Sequence, residues 1–136
     1  MSLVDKLMSI DKGEYVKEET AEIKSRRLSK IMGEDVYIKV KGISGDLYTE
    51  LSSRIYNSDG TVDFSKSRDA AALMAAEAVV EPDLKNEDLQ AHFDAVTSKD
   101  LAKILFKGNE LTNIVQKIRE LSGFEDEDET VDEIKN

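Results

Sequence analysis

The sequence contains no cysteine and no tryptophan, one proline and one histidine. Without cysteine the protein forms neither a disulfide nor a thiolate nucleophile, which fits a reducing cytoplasm. His92 has no second histidine and no cysteine with which to build a zinc site, so we interpret it as a partly exposed helix residue. The scarcity of proline favours helices over a turn-rich sandwich.

Long apolar runs are also missing from the sequence. No run approaches the roughly 20 residues that a membrane-spanning helix needs. The first five residues lack the basic start and the apolar core of a secretory signal. The sequence therefore predicts an intracellular protein that does not bind or span a membrane.

The formal charge of −10 is unevenly distributed over the 136 residues. Residues 124–136 hold seven acids and one lysine, whereas residues 24–41 hold six bases and two acids. Such charge runs are usually solvated surface. The basic stretch contains only Tyr37 as an aromatic residue and no recognition motif, and the overall acidity opposes binding to phosphate backbones. We therefore predict no nucleic-acid partner.

Alternating side chains predict β-structure in the N-terminal half. Ile38 and Val40 alternate with polar neighbours, the period of two of a half-buried strand. Residues 21–32 alternate less cleanly, and Gly33 with its neighbour offers a turn between the two segments. We expect a β-hairpin over about residues 21–43.

The remaining segments have the spacing of amphipathic helices. Ser44 is placed to cap one of them, and Thr97 another. An alanine-rich segment from about residue 64 to 80 is apolar nearly all round, so we expect it at the centre of the core until Pro82 ends it. Further helices are expected near residues 3–10, 86–93, 97–106 and 109–121.

The predicted fold is mainly α (α+β). Residues 1–20 are expected to form a short helix and a polar linker, and residues 21–124 a single globular domain. Gly123 supplies the stop of the last helix. The acidic tail at residues 125–136 is expected to be flexible and disordered, because repelling carboxylates with few apolar neighbours cannot offset the cost of ordering.

No arrangement of residues predicts chemistry. Asn57, Asp59 and Gly60 match part of a calcium loop, but the closing glutamate is missing, and a surface turn is the better interpretation. No glycine-rich phosphate loop is present. We therefore predict no catalytic, cofactor-binding or metal-binding residue, and no enzymatic activity.

Several segments together resemble the XkdN-like tail assembly chaperones of phages and prophages of Gram-positive bacteria. They are Glu81-Pro82-Asp83-Leu84 after an alanine-rich helix, residues 101–110, Leu121-Ser122-Gly123-Phe124, and the acidic end closing on Val131-Asp132-Glu133-Ile134-Lys135-Asn136. The resemblance covers most of residues 20–136. The sequence differs at Lys107-Gly108-Asn109-Glu110, where the resemblance implies a turn of Pro-Gly-Glu type.

The resemblance implies a non-enzymatic role in the assembly of a long phage tail. Such chaperones hold the tape-measure protein in solution in the cytoplasm of the bacterial host, and they are absent from the mature virion. Many also exist as a longer, frameshifted form that recruits the tail-tube protein. The resemblance assigns no partner-binding residue, no oligomeric state and no particular phage. The apolar stripes between Leu101 and Leu121 are candidates for the wall of a client groove, with a plain core as the alternative.

Two other classes stay open at this point. One is a phage-encoded acidic binding or inhibitor protein of the DNA-mimic type, which would display ordered surface carboxylates. The other is a small enzyme of unrecognised type, which the empty set of sites disfavours.

Overall fold

The computed structural model describes residues 2–17 and 19–124. Its helices are α1 (Leu3–Met8), α2 (Lys12–Tyr15), α3 (Arg26–Met32), α4 (Gly45–Ser52), α5 (Ser67–Ala78), α6 (Glu87–His92), α7 (Ser98–Leu105) and α8 (Asn109–Leu121). Its strands are β1 (Thr20–Lys24), β2 (Tyr37–Lys41) and β3 (Val79–Glu81), and 3-10 turns lie at Ser53–Ile55 and Phe64–Lys66. The mainly helical α+β prediction is confirmed. The predicted disorder of residues 125–136 lies outside the described residues.

The three strands form one antiparallel sheet in the order β1-β2-β3. β1 pairs with β2 from Thr20 opposite Lys41 to Lys24 opposite Tyr37. In β2, Ile38 and Val40 are buried and the residues that alternate with them are more exposed, so the predicted period of two is confirmed. The antiparallel pairing of the predicted hairpin is confirmed as well.

The connection between β1 and β2 differs from the expected tight turn. It is helix α3, which occupies residues that the hairpin prediction treated as strand. The Oγ of Ser25 accepts a hydrogen bond from the Leu28 N–H (3.1 Å) and caps the helix at its N-terminus. Gly33 ends the helix with a φ of 72°, a left-handed conformation that glycine adopts without strain. Local capping therefore interrupts the alternation after Lys24.

Helix α5 lies in the middle of the core, as predicted. Ala72, Ala75 and Ala78 have no exposed surface, and the short side chains allow α7 and α8 to pack closely against the helix. The helix is shorter than the expected 64–80, because a 3-10 turn precedes it and Val79 leaves it to pair with Val40 of β2. Strand β3 was not predicted.

Side-chain hydrogen bonds define several helix ends and one helix corner. The predicted caps Ser44 and Thr97 each accept a backbone N–H at 3.1 Å. The guanidinium of Arg68 on α5 donates to the carbonyls of Phe106 (3.0 Å) and Gly108 (3.3 Å), at the corner between α7 and α8.

Candidate partner-binding surface

The residues considered for metal or catalytic roles are not assembled into a site. Among the described residues, no group of three or more His, Cys, Asp or Glu side chains is placed to hold a metal ion. His92 is exposed at the end of α6, with its ring edge-on to Phe93. Asp59 accepts hydrogen bonds from the Thr61 N–H (2.9 Å) and hydroxyl (2.6 Å), so the predicted surface turn is confirmed. Within residues 2–17 and 19–124, no helix is both long and apolar enough to cross a membrane.

The Leu-Ser-Gly-Phe segment ends α8 in a capped turn. Gly123 has a φ of 91°, and its N–H donates to the Glu120 carbonyl (3.1 Å). The Phe124 N–H donates to the Arg119 carbonyl (3.0 Å), which completes a Schellman motif. The predicted C-terminal stop is therefore confirmed.

The same segment fastens α8 to the end of β2 and to α4. The Ser122 Oγ accepts the N–H of Ile43 (2.9 Å), and the Phe124 ring stacks on Tyr48 with centroids 4.2 Å apart. A Cβ at Gly42 would lie 2.6 Å from the Leu121 carbonyl oxygen, so this approach requires glycine. The motif that carries part of the family resemblance is thus a structural anchor.

Most of the apolar side chains in the stripes between Leu101 and Leu121 lie in the core, although Leu121 itself lines a concave region. Leu101, Phe106, Leu111 and Ile118 have no exposed surface, and Ile114 is 2% exposed. These side chains pack into one core with the sheet and α5. For these buried residues the structure agrees with the alternative, a plain core, because the core itself occupies their apolar faces.

A concentration of exposed apolar side chains lies at the N-terminus, on α1, on α2 and on the residues that follow each helix. Neither helix contains a buried residue. Between 44% and 80% of each of seven large apolar side chains is exposed, and we call this set the N-terminal apolar face: Leu3, Val4, Leu7, Met8, Ile10, Tyr15 and Val16. Leu7, Ile10, Tyr15 and Val16 of this set line one concave region, and clustered apolar surface marks interaction sites in soluble proteins more often than isolated exposed residues do.

Local capping explains why α1 forms without packing. The Ser2 Oγ accepts the Asp5 N–H (3.1 Å), and the Asp5 carboxylate accepts the Ser2 N–H (3.3 Å), which together make a capping box. The spacing of Leu3 and Leu7, and of Val4 and Met8, then brings these side chains to neighbouring positions on the helix. Helix α1 therefore presents a stripe that the rest of the described chain leaves uncovered.

Two concave regions adjoin this face. An apolar notch of about 270 Å³ is lined by Leu7, Ile10, Lys12, Tyr15 and Val16. A groove of about 450 Å³ lies between Val16 and the Leu121–Gly123 anchor. Both regions include Val16, so the N-terminal apolar face continues to the place where α8 ends.

The charges of the N-terminal segment balance, in contrast to those of the whole chain. Residues 2–17 carry three acids and three lysines within a protein of formal charge −10. A partner that approaches this segment therefore meets little local repulsion.

Helix α3 presents a different surface, which is basic. Its outward residues include Arg26, Arg27 and Lys30, and the neighbouring Ile31 and Met32 are 67% and 59% exposed. Lys24 before the helix pairs with Asp35 (3.0 Å), and the hydrogen bond that its ammonium donates to that carboxylate raises the pKa of Lys24. The four bases at Lys24, Arg26, Arg27 and Lys30 are exposed, as predicted, whereas Lys39 and Lys41 on β2 are half-buried.

An ion-paired cluster joins α5 to α7. The Nζ of Lys103 lies 2.6 Å from one oxygen of Asp69, and the Nζ of Lys99 lies 3.7 Å from the other. The hydrogen bond from Lys103 lowers the pKa of Asp69 below its ordinary value. Because these three side chains are half-exposed and solvent screens their ion pairs, we assign this cluster to helix packing rather than to chemistry.

The sequence contained part of the signal for the N-terminal apolar face. The spacing from Leu3 to Ile10 predicted an amphipathic helix, but it did not show whether the apolar side would be buried. Tyr15 and Val16 belong to a four-residue helix and its C-cap, which is too short for apolar residues to recur with the helical period. Exposure of these residues follows from three-dimensional packing alone.

Comparisons with known proteins agree with this architecture. The family model described as phage XkdN-like tail assembly chaperone protein matches residues 4–135. The crystal structure of the protein YqbN superposes with a TM-score of 0.62 at 25% sequence identity, covering 85% of this chain and 93% of that chain. No curated protein matches the sequence.

Proposed function

The chain belongs to the phage XkdN-like tail assembly chaperone family, and on that premise we propose that it binds the tape-measure protein of a long phage tail. In this proposal it keeps the tape-measure protein in solution until tail-tube subunits polymerise around it. The protein acts by binding alone, without nucleotide and without turnover.

The N-terminal apolar face is the observation that carries the proposal. A long helical client with apolar stripes aggregates unless those stripes are covered. A partner helix with apolar residues at i, i+3, i+4 and i+7 suits an apolar groove on another protein. The face is exposed, electrically balanced and continuous with the 270 Å³ notch, which fits this mode of recognition.

The place and time of action follow from the same proposal. The protein works in the cytoplasm of the bacterial host and leaves before the virion is complete. A longer form, made by frameshifting, recruits the tail-tube protein. The family's role as a tail assembly chaperone supports these steps.

Co-expression with the cognate tape-measure protein tests the proposal. We expect the tape-measure protein to move from the pellet to the supernatant and to co-purify with the chaperone. Leu7→Asp should abolish both effects, because it places a charge in the notch. Val96→Asp is the matched control, since Val96 is 85% exposed outside this face.

The possible outcomes test the proposed function and the proposed binding surface separately. A tape-measure protein that is equally soluble alone, or that never co-purifies, contradicts the proposed function. Equal binding by the wild type and Leu7→Asp leaves the function standing and removes the N-terminal apolar face from it. Binding that disappears only when nucleic acid is added would favour the acidic mimic.

A further inference from the structure

We propose that two copies of this chain associate by pairing their β1 strands antiparallel, which joins their two sheets into one continuous sheet. Strand β1 lies at one side of the sheet, so one of its edges has no neighbouring strand among the described residues. The contact involves the protein alone and does not depend on the tape-measure protein.

Backbone hydrogen bonds show which residues of β1 face that edge. The Ser25 N–H donates to the Val36 carbonyl (2.9 Å), which continues the β1–β2 register by one residue. In an antiparallel ladder every second residue bonds to the same neighbouring strand. The N–H and carbonyl groups of Thr20, Glu22 and Lys24 therefore point away from β2, and we call these three residues the open edge.

The open edge is accessible. The side chains of Thr20, Glu22 and Lys24 are exposed. Within residues 2–17 and 19–124, no backbone hydrogen bond joins the outward groups of the open edge to another residue. The contact of Lys24 with Asp35 uses the ammonium group and leaves the Lys24 backbone available. A strand edge in this state is a template for a further strand.

The charges of the open edge select a second copy as that strand. When Glu22 lies opposite Lys24 of the second copy, two-fold symmetry places Lys24 opposite Glu22 of that copy. Both cross-strand pairs then have opposite charge, which stabilises an antiparallel pairing. In this register each of these residues exchanges both of its outward backbone bonds with its opposite, and Ile23 lies beside its own counterpart.

Other pairings of two copies are less favourable. A register shifted by two residues places Glu22 opposite Glu22 of the second copy, and like charges directly opposite are destabilising. A shift of one residue sets the outward groups against groups that already bond to β2. The far edge of the sheet is β3, which has three residues, an irregular register with β2 and Pro82 directly after it.

The contact is small, so the association is weak. It joins short strands through few backbone bonds and two exposed ion pairs, well below the roughly 1,000 Å² of a stable interface. Salt screens exposed ion pairs. We therefore expect a reversible dimer that forms at high protein concentration and weakens as the ionic strength rises.

Sedimentation equilibrium of the full chain tests the proposal over about 10 µM to 1 mM protein in low salt. The wild type is expected to show a monomer–dimer equilibrium. Glu22→Lys and Lys24→Glu should each be monomeric alone, because each opposes like charges across the pairing. An equimolar mixture of the two variants should dimerise, since every facing pair then has opposite charge. Glu87→Lys and Lys66→Glu change the same charges at exposed positions outside the sheet and should dimerise as the wild type does.

The double variant Glu22→Lys with Lys24→Glu guards against loss of folding as the cause. It keeps opposite charges face to face, so it should dimerise on its own. On dilution of isotope-enriched wild type, the amide signals of Glu22 and Lys24 should shift, whereas that of Leu89 on α6 should not.

Four results would overturn the proposal. They are a wild type that is monomeric throughout, dimers that persist in either single variant, a mixture that stays monomeric, and concentration-dependent shifts on α1 instead of β1. None of these results bears on whether the protein binds the tape-measure protein.

Discussion

Helices α8 and α1 both carry apolar side chains on one face, but they place those side chains in opposite surroundings. On α8, Leu111 and Ile118 have no exposed surface. On α1, Leu3 is 70% exposed and Met8 is 80% exposed. An amphipathic pattern therefore predicts a helix in both places, but it does not reveal whether the apolar face of that helix is buried against the rest of the chain.

The two helices differ in how they are attached. Helix α8 is held at its start by the Ser25–Glu110 hydrogen bond and at its end by the stack of Phe124 on Tyr48. Helix α1 has six residues, and its capping box involves only its own first turn. Apolar burial on α8 thus supports the fold, whereas the apolar side chains of α1 remain available to a partner.

Large-to-small substitutions should separate the two regions most clearly. Leu111→Ala is expected to lower the free energy of unfolding by about 2–5 kcal/mol, because it opens a cavity in a closed core. Leu7→Ala, the matched change on α1, should stay within about 0.5 kcal/mol. Chemical denaturation followed by circular dichroism measures both values. Similar losses for the two variants would show that α1 is packed.

Small-to-large substitutions on α5 test the centre of the core by overpacking it. Ala72 on α5 has no exposed surface, so Ala72→Leu is expected to cost about 1–3 kcal/mol through overpacking. Ala76→Leu should also destabilise the protein, since Ala76 is 8% exposed. Ala91→Leu on the exposed side of α6 is the control. Unchanged stability in both α5 variants would contradict the central position of this helix.

Removal of the acidic segment should have a smaller effect. A variant that ends at Phe124 keeps the Schellman motif and the stack on Tyr48. We expect it to lose less than about 1 kcal/mol, because exposed ion pairs contribute little to stability. Thermal unfolding is the measurement, and a fall of several degrees or more would show substantial packing of residues 125–136.

The smallest effect concerns the acid dependence of the α5–α7 contact. The pKa of Asp69 is lowered by Lys103, so the folded state binds this proton less readily than the unfolded chain does. The resulting stability is present above the ordinary pKa of 3.8 and is lost as the pH falls through the folded-state value. The difference in melting temperature between the wild type and Asp69→Asn should therefore shrink below about pH 4. A difference that is constant with pH would contradict this role.

Local signals predicted much of the fold from the sequence. Caps at Ser44 and Thr97, the alternation of Ile38 and Val40, and the stop at Gly123 act over a few residues, and each was identified correctly. The errors involve competition between local patterns and distant contacts. Ser25 and Gly33 cap α3 within residues that were predicted to be a strand. Val79 was predicted to be helical, but it pairs with Val40 of β2 instead.

The candidate surface was less predictable for the same reason. The stripe on α8 and the stripe on α1 have similar spacing, and only the packing of Leu111 against the core separates them. The stripes between Leu101 and Leu121, one candidate for a client surface, therefore lie mostly in the core, which was the alternative interpretation. The family resemblance, by contrast, depended on short segments such as the Leu121–Phe124 anchor and is confirmed over residues 4–135.

Hydrogen exchange of the chaperone alone and with the tape-measure protein tests the central claim most directly. We predict that the amides of α1 and α2 exchange rapidly in the isolated protein and become protected in the complex, while protection of α8 stays unchanged. The claim is contradicted if the amides of α1 and α2 are already protected in the isolated protein. It is also contradicted if the complex forms with new protection elsewhere and none on α1 or α2.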